Sequence, residues 1–339
     1  MNRTMQALMY EGPRQLHMRE VEMPVIGEQD VLVKVSFAGI CGSELSGYYG
    51  KNSLRVPPLI MGHEFSGVIA DKGAAVDGLE IGDRVTANPL SSCQVCDDCQ
   101  EARSHLCHER KLLGAHLPGA YADYVRVPAS QTHKLPEGMS LEVAAMMEPL
   151  ACAVHIVSQA ELKGSDSLLI VGAGPIGLFT LLAAQKWGVK HIVVQEIAAE
   201  RLKMVEALGG IAVSGEEELS RFMPDRGFTA SVDAVGLEVT RRLCVQSTRP
   251  GGRVVFSGLH SADSSLPINE IIRNETVLKG AFAYTPDDFR QALQWDEAFG
   301  PKRLEPWLVE APLKEGQFWF EKLTNDPGSV AKVLLRINN

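Results

Sequence analysis

The sequence predicts an α/β protein with two domains, one rich in β-strands and the other containing a doubly wound parallel sheet. The 339 residues suffice for two domains with hydrophobic cores of their own. Before Leu141, short apolar segments are separated by glycines and prolines, and long helical periodicity is absent. From Ser167 onward, apolar runs of strand length alternate with helical patterns, which indicates βαβ units and hence a parallel sheet.

The β-rich part contains apolar, partly alternating segments such as "QDVLVKVSFAGIC", "FSGVIADKG" and "IGDRVTANP". A cysteine-rich stretch, about residues 90–112, is interpreted as a lobe inserted among them. The tail of the chain ends in "SVAKVLLRINN", a predicted strand that we expect to return to this first domain.

In the second part, five apolar runs predict the strands of the parallel sheet, at residues 167–172, 191–196, 230–235, 252–258 and 276–282. Helices are predicted between them, including residues 175–187, 198–208 and 237–248. The segment before this sheet, "SLEVAAMMEPLACAVHIVSQA", has a helical pattern with a proline interruption.

Charge and composition limit the classes of partner. A net charge of −9 argues against general binding to nucleic acid or to an anionic membrane surface, since both need a basic face. The N-terminus has no apolar core of signal-peptide length, and the best membrane candidate, Ser167–Ala184, carries three glycines and a proline. We therefore expect no nucleic-acid partner, no membrane span and a cytoplasmic location, where thiols bind metal rather than form disulfides.

Four of the seven cysteines lie within fifteen residues, "CQVCDDCQEARSHLC", with the spacing Cys93-x2-Cys96-x2-Cys99-x7-Cys107. Four thiolates are a suitable tetrahedral set for Zn²⁺, and a site filled by protein on all four positions is structural. Two disulfides or a nucleic-acid zinc module are the alternatives, which the reducing location and the acidic residues of the lobe disfavour. The reaction must therefore take place elsewhere in the chain.

The stretch "VGAGPIG" contains Gly172-x-Gly174-x-x-Gly177, with Pro175 and Ile176 before the last glycine. It follows an apolar strand and opens a helix, which is the context that a Rossmann dinucleotide site requires. Gly172 permits the tight turn, Gly174 lets the backbone approach a pyrophosphate, and Gly177 lets the helix pack close to the strand. The helix N-terminus would then face the phosphates, whereas a tight turn without a ligand is the alternative.

The second predicted strand ends at Glu196, nineteen residues after Gly177, the distance expected of a carboxylate that binds the ribose hydroxyls. Because a carboxylate there repels a 2′-phosphate, NAD is favoured over NADP. Two alternatives stay open: Arg201, five residues further on, holds a 2′-phosphate instead, or Glu196 is an ordinary solvated carboxylate.

Further zinc-ligand types are scattered outside the lobe. Cys41 lies in "AGICGSELSG", His63 and Glu64 lie in "MGHEFSG", and Glu148 and Cys152 lie in "MMEPLAC". Each has an ordinary structural explanation when taken alone, such as a buried small hydrophobe for Cys41 or a helix cap for Glu148. The residues by themselves leave both interpretations open.

Together these motifs resemble the zinc-dependent medium-chain alcohol dehydrogenases, in the branch of the sorbitol and galactitol-1-phosphate dehydrogenases. "CGSE", "GHEFSG", the four-cysteine lobe, "EPL" and "VGAGPIG" occur in the order and spacing of that family. The resemblance covers essentially the whole chain. It implies a GroES-like catalytic domain of residues 1–153 and 287–339, and a Rossmann NAD-binding domain of residues 154–286 between them. It also implies two Zn²⁺ ions per chain, NAD as cofactor, and homodimers or homotetramers, with the strand near 276–282 a candidate for pairing between subunits.

The resemblance assigns roles to individual residues. Cys41 and His63 become ligands of a catalytic zinc, with Glu148 the expected third ligand and Glu64 an alternate one. Ser43 resembles the hydroxyl that relays the proton, although a serine that stabilises the turn is the alternative. The metal would lower the pKa of a substrate hydroxyl, and NAD would accept the hydride.

Two departures from the family pattern concern the substrate. Polyol enzymes often continue "CGSD" with a histidine two residues later, whereas residues 44–46 here are "ELS". Ala283 stands where sorbitol-type enzymes carry an arginine before the tyrosine. Tyr48 and Tyr49 are expected either to line the pocket or to pack in the core.

The expected function is oxidation by NAD of a secondary alcohol of a polyol, polyol phosphate or sugar acid, giving the ketone. An enzyme similar to L-threonine 3-dehydrogenase is the nearest alternative. A protein that binds NAD without turnover is the alternative from another class. The absorbance of NADH, measured with a panel of polyols and with threonine, separates the three.

Overall fold

The computed structural model describes residues 4–295 and 300–337, which form two compact units. The first unit takes the chain as far as Glu148 and resumes at Leu304, and the second spans Pro149–Arg303. The boundaries predicted from the resemblance, 153/154 and 286/287, differ from this division at both ends. At the second boundary the helix Pro286–Leu293 lies in the second unit, where Asp288 Oδ2 is 2.9 Å from His155 Nδ1.

Strands and helices cover both units. The strands, in chain order, are β1 (Thr4–Gly12), β2 (Gln15–Glu22), β3 (Asp30–Gly39), β4 (Leu59–Ile60), β5 (Glu64–Lys72), β6 (Arg84–Ala87), β7 (Leu90–Ser91), β8 (Lys111–Leu112), β9 (Tyr124–Pro128), β10 (Thr132–Lys134), β11 (Ser167–Val171), β12 (His191–Gln195), β13 (Ile211–Val213), β14 (Phe228–Asp233), β15 (Thr248–Phe256), β16 (Val277–Gly280), β17 (Leu308–Pro312) and β18 (Lys332–Arg336). The α-helices are α1 (Gly42–Tyr48), α2 (Asp97–Gln100), α3 (Leu141–Ala144), α4 (Met147–Gln159), α5 (Pro175–Lys186), α6 (Ala199–Ala207), α7 (Glu216–Phe222), α8 (Glu238–Ser247), α9 (Ile268–Arg273), α10 (Pro286–Leu293) and α11 (Gly316–Asn325). Short 3₁₀ helices lie at Ser104–Leu106, Ala129–Gln131, Pro301–Trp307 and Leu313–Glu315.

The first unit is built mainly on one sheet with the strand order β10-β6-β5-β3-β18-β17, and β9 also pairs with β3. In β3, Val31, Val33 and Val35 are almost completely buried in the core of this unit, as expected for a strand with one apolar face. Antiparallel pairing of β18 with β3 places Leu334 opposite Gly39, so the end of the chain lies beside the end of β3. Two smaller sheets, β2-β1-β4 and β7-β8, complete the unit.

The second unit contains a parallel sheet with the order β13-β12-β11-β14-β15-β16. This is the order of a doubly wound Rossmann sheet, and it confirms the predicted fold class. The five predicted strands correspond to β11, β12, β14, β15 and β16. The short strand β13 and the helix α7 were not predicted, because Ile211–Val213 is too short to show a periodic pattern.

The apolar stretch at the start of this unit is a buried strand, turn and helix, β11 followed by α5. Leu178, Phe179 and Leu182 of α5 have no exposed surface, which explains why the stretch is so hydrophobic. Across the two described ranges, no helix is long and apolar enough to cross a membrane. Pro149 does not interrupt a helix, since it lies in the first turn of α4, where its missing N–H has no helical partner to lose.

Candidate metal and cofactor sites

The four cysteines of the lobe converge. The Sγ atom of Cys93 lies 3.6 Å from that of Cys107 and 3.9 Å from that of Cys99, and the Sγ atoms of Cys96 and Cys99 are 3.6 Å apart. All four are free thiols, as a disulfide would need a distance of about 2.05 Å. A tetrahedral Zn²⁺ at about 2.3 Å from each sulfur requires neighbouring sulfurs to be about 3.8 Å apart. The cluster therefore fits one zinc ion with four thiolate ligands.

Backbone N–H groups of the lobe point at these sulfurs. The amide of Cys96 donates to Cys93 Sγ at 3.4 Å, and the amide of Cys93 donates to Cys107 Sγ at 3.5 Å. Hydrogen bonds from the amides of Val95 and Cys96 lower the pKa of the Cys93 thiol to about 6. Since the thiolate is the form that binds metal, these donors prepare the lobe for a cation.

A second group of potential metal ligands consists of Cys41, His63 and Glu64, each of which offers an atom within 4.8 Å of the others. Cys41 follows the end of β3, Glu64 is the first residue of β5, and His63 directly precedes it. These strands pair in antiparallel fashion with Gly39 opposite Glu64, so the end of one strand meets the start of the other. The pairing thus joins potential ligands that lie more than twenty positions apart in the sequence.

The third member of this group is Glu64, whereas the expected third ligand was Glu148. A Cβ at the paired position Gly39 would overlap with the Glu64 carboxylate, so the glycine leaves the space that this carboxylate occupies. Its Oε2 forms a buried ion pair with Lys332 of β18. Glu148 is half-buried in the first turn of α4. Burial lowers the pKa of Lys332, but the charges of Glu64 and Cys41, with a smaller effect of Glu148, outweigh it and raise the pKa. A role for Glu148 as the resting ligand stays a prediction, and Cys152, on α4 in the second unit, is in neither ligand group of the described residues.

Glu44 was noted in the sequence only as the last residue of "CGSE" and as a departure from the usual aspartate, but its side chain contacts several residues of the site. Its side chain is completely buried. Oε1 accepts hydrogen bonds from the amide of Gly62 at 2.8 Å and from His63 Nδ1 at 2.9 Å. Oε2 accepts from the amide of Cys41 at 3.1 Å and from the Tyr121 hydroxyl. The signal in the sequence that could have identified Glu44 was its position three residues after Cys41, a candidate ligand.

These contacts fix the charge of the Glu44 carboxyl and the orientation of His63. Burial alone would raise the pKa of Glu44, but the charge and hydrogen bond of His63, with smaller effects of Arg55 and Tyr121, outweigh it and hold the pKa at about 2. Because Nδ1 of His63 faces this carboxylate, Nε2 is the nitrogen left for a metal. Burial lowers the pKa of His63, but the negative charges of Glu44 and Cys41 outweigh this effect and raise the pKa well above its ordinary value. The site therefore favours positive charge.

Ser43, the predicted proton relay, lies between Cys41 and an arginine that the sequence did not single out. Its Oγ donates to Cys41 Sγ at 3.3 Å and accepts from Arg55 Nη2 at 3.0 Å. Of the two neighbouring tyrosines, Tyr48 packs in the core, with its ring against Phe320 and no exposed surface.

The glycine-rich turn between β11 and α5 has the geometry of a phosphate site. Gly172 has a φ of +100°, and a Cβ on Gly177 would overlap with the Gly172 carbonyl oxygen. Gly174 is the N-cap of α5, Pro175 is its first residue, and the carbonyl of Ile176 accepts from the Thr180 hydroxyl at 2.7 Å. A Cβ on Gly174 would meet no heavy atom within 4 Å, so the space before the helix N-terminus is open to a pyrophosphate.

Glu196 follows β12 directly and is only 8% exposed. Its carboxylate accepts from the amide of Ala173 in the glycine-rich turn at 2.9 Å, and from the amides of Ile197 and Ala198 at 2.7 and 3.0 Å. Arg201 Nη1 lies 3.8 Å from Glu196 Oε2. A carboxylate held beside the phosphate turn fits the ribose of a dinucleotide.

Comparison with known proteins matches two separate parts of the chain to two family models. Residues 27–137 match the alcohol dehydrogenase GroES-like domain family, and residues 175–297 match the zinc-binding dehydrogenase family. A probable D-xylulose reductase A of Arthroderma otae is 34% identical over 301 residues, 84% of each chain. An L-threonine 3-dehydrogenase of Pseudoalteromonas atlantica is 33% identical over 78% of this chain and 80% of its own. An L-idonate 5-dehydrogenase of Vitis vinifera is 33% identical over 80% of this chain and 78% of its own.

Solved structures are similar over nearly the full length. An alcohol dehydrogenase of Escherichia coli CFT073, solved with NADH, superposes with a TM-score of 0.91 at 28% identity, over 98% of this chain and 99% of that one. A zinc-binding dehydrogenase of Sinorhizobium meliloti, solved with NADP, gives 0.87 at 26% identity, over 99% and 100%. The galactitol-1-phosphate dehydrogenase of Escherichia coli gives 0.89 at 25% identity, over 98% and 100%.

Proposed function

The chain belongs to the zinc-dependent medium-chain alcohol dehydrogenases, and on this premise we propose that it oxidises a secondary alcohol of a polyol, polyol phosphate or sugar acid to the ketone, with NAD as hydride acceptor. The observation that carries the proposal is the group Cys41, His63 and Glu64, whose histidine is oriented by the buried carboxylate of Glu44. Relatives named for D-xylulose, L-idonate and galactitol 1-phosphate support this substrate class.

Each residue of the site has a definite task in this reaction. We assign Cys41, His63 and Glu64 to the catalytic metal, while Glu44 holds the proton of His63 on Nδ1. The bound zinc would supply a Lewis acid that lowers the pKa of the alcohol, and NAD would take up the hydride. Ser43 is the hydroxyl beside the metal ligands that is able to pass on the proton of the alcohol.

The two candidate third ligands are separable by metal analysis. Glu64→Gln and Glu148→Gln each remove one carboxylate charge without a change of size. If Glu64 is the resting ligand, Glu64→Gln weakens the affinity of the catalytic zinc, and Glu148→Gln leaves it close to the wild-type value. If instead Glu148→Gln weakens the zinc affinity and Glu64→Gln leaves it unchanged, Glu148 is the resting ligand.

The proposed reaction is tested by the absorbance of NADH with a panel of polyols, their phosphates, sugar acids and L-threonine. The threonine dehydrogenase among the relatives keeps L-threonine as a second candidate substrate. A zinc-loaded enzyme that binds NAD but reduces it with no alcohol of the panel would refute the proposal in favour of binding without turnover.

We further propose a homodimer or homotetramer in the cytoplasm. β16 is an edge strand of the parallel sheet, and Val277 on it and Ile272 on α9 are exposed large apolar side chains. Light scattering of the wild type and of Val277→Lys tests whether this edge joins two copies. All seven cysteines are free, which suits a reducing compartment, and cell fractionation checks that location.

A further inference from the structure

Arg55 is a buried cation next to Ser43, near the Cys41–His63–Glu64 group, and the described part of the chain provides no counter-ion for it. Only 4% of the residue is exposed. Its Nη2 donates to Ser43 Oγ at 3.0 Å, and its buried Nε has no hydrogen-bond acceptor. Within residues 4–295 and 300–337, no carboxylate forms an ion pair with this guanidinium. Buried arginines are almost always paired, so this one is set up for an anion that the protein does not supply.

The position of Arg55 is fixed by packing. A Cβ on Gly47 of α1 would overlap with Arg55 Cδ and would lie 3.3 Å from both Cβ and Cγ. The apolar stem of the arginine therefore lies against a part of α1 that has no side chain. This packing directs the guanidinium to Ser43, near the start of the same helix.

Glu44 does not serve as the missing counter-ion. Both of its oxygens are occupied by donors from Gly62, His63, Cys41 and Tyr121. The charge of Arg55 acts on Glu44 only from beyond ion-pair distance, as one of the smaller contributions to its low pKa. The free donors of Arg55 thus remain available to a ligand.

We propose that Arg55 binds a carboxylate or phosphate of the substrate, which makes the enzyme selective for anionic alcohols. This inference rests on the proposed function, because it names the substrate class of the same site. Two hydrogen bonds, from Arg55 to Ser43 and from Ser43 to Cys41 Sγ, connect the guanidinium to the proposed metal site. An alcohol bound at the metal would therefore reach Arg55 with an acidic group that lies a few bonds from its reacting carbon. The planar fork of donors suits either oxyanion, whereas a neutral polyol leaves the buried charge unpaired.

The test compares matched neutral and anionic alcohols on the zinc-loaded enzyme with NAD. The pairs are L-iditol with L-idonate and galactitol with galactitol 1-phosphate, and L-threonine, a zwitterion, is a further alcohol that carries a carboxylate. In Arg55→Gln, we expect kcat/KM for the anionic member to fall about 10- to 100-fold more than for its neutral partner. Arg55→Lys, which keeps the charge but not the fork, should recover part of the loss. The pair that shows the larger effect identifies carboxylate or phosphate as the natural group.

Arg14→Gln is the matched control, because Arg14 is in the same unit and its side chain is 59% exposed. It should change the ratio between the two members of a pair by less than about twofold. Equal losses on neutral and anionic members in Arg55→Gln would overturn the proposal and leave Arg55 as a residue that positions Ser43. A raised KM for NAD in place of a raised KM for the alcohol would overturn it as well.

A second readout does not depend on turnover. Inorganic phosphate, added to enzyme saturated with NADH, should raise the unfolding temperature of the wild type and not that of Arg55→Gln. Without phosphate, Arg55→Gln should unfold at the wild-type temperature or above it, since a buried unpaired charge is removed. An equal phosphate shift in both proteins contradicts the proposal. If the wild type oxidises none of the panel, the proposed function fails, whereas turnover with parallel losses refutes only the role of Arg55.

Discussion

Glu44→Gln is the most informative single change in the first unit. It replaces a completely buried carboxylate by an amide of the same shape, next to the proposed catalytic zinc. The oxygen of the amide is able to keep the donors Gly62 and His63. The amide nitrogen then faces the N–H of Cys41, which loses its acceptor, while the Tyr121 hydroxyl is able to turn and accept.

The structure gives two routes to the magnitude. One buried hydrogen bond to a charged group contributes about 1.5–3 kcal/mol, and an unpaired buried donor adds to its loss. Independently, a pKa held at about 2, against an ordinary value of 4.5, corresponds to roughly 3 kcal/mol of folding free energy at neutral pH. We therefore expect Glu44→Gln to lower the free energy of unfolding of the zinc-free protein by about 2–4 kcal/mol.

The pH dependence has a definite sign. A carboxylate with a depressed pKa stabilises the folded state above its unfolded pKa and loses that effect as the pH falls through its folded pKa. The difference between wild type and Glu44→Gln should therefore be full at neutral pH and shrink between about pH 4.5 and about pH 2.

Urea unfolding of the zinc-free proteins measures the stability, and competition with a chromophoric chelator measures zinc affinity, which we expect to fall about 10- to 100-fold. Glu137→Gln, an exposed carboxylate of the same unit, is the control, and Tyr121→Phe, which removes one donor to the Glu44 carboxylate, should cost about 1.5–3 kcal/mol. A Glu44→Gln protein that matches the wild type in stability and zinc affinity would refute the role given to this carboxylate.

Three further changes test other parts of the structure. Cys93→Ser should remove one of two zinc ions per chain, as measured by atomic absorption; two retained ions would contradict a four-thiolate site. Burial raises the pKa of Asp288, but hydrogen bonds from His155 and Thr285 outweigh it and lower the pKa. The stabilisation lost in Asp288→Asn should therefore be present at neutral pH and vanish in acid, so a urea-midpoint difference that stays constant down to about pH 2 speaks against it. Glu196→Gln should raise the KM for NAD and improve the relative use of NADP, and an unchanged ratio of the two cofactors would rule out a ribose contact.

Features that depend on neighbours along the chain were predictable from the sequence alone. The spacing of Cys93, Cys96, Cys99 and Cys107 suits one metal because three of the sulfurs share a short loop. The alternation of apolar strands and helices predicted the parallel sheet, which the structure confirms, and the glycine turn between β11 and α5 predicted a dinucleotide site there. Such features follow from local geometry and periodicity.

Tertiary contacts were needed to show which carboxylate lies beside Cys41 and His63. Antiparallel pairing of β3 with β5 sets Glu64 beside Cys41, and β18 brings Lys332 to Glu64 from the far end of the chain. The roles of Glu44 and Arg55 likewise depend on which side chains face one another across α1 and the start of β5. No spacing rule connects these residues, since their contacts arise from strand register and packing rather than from distance along the sequence.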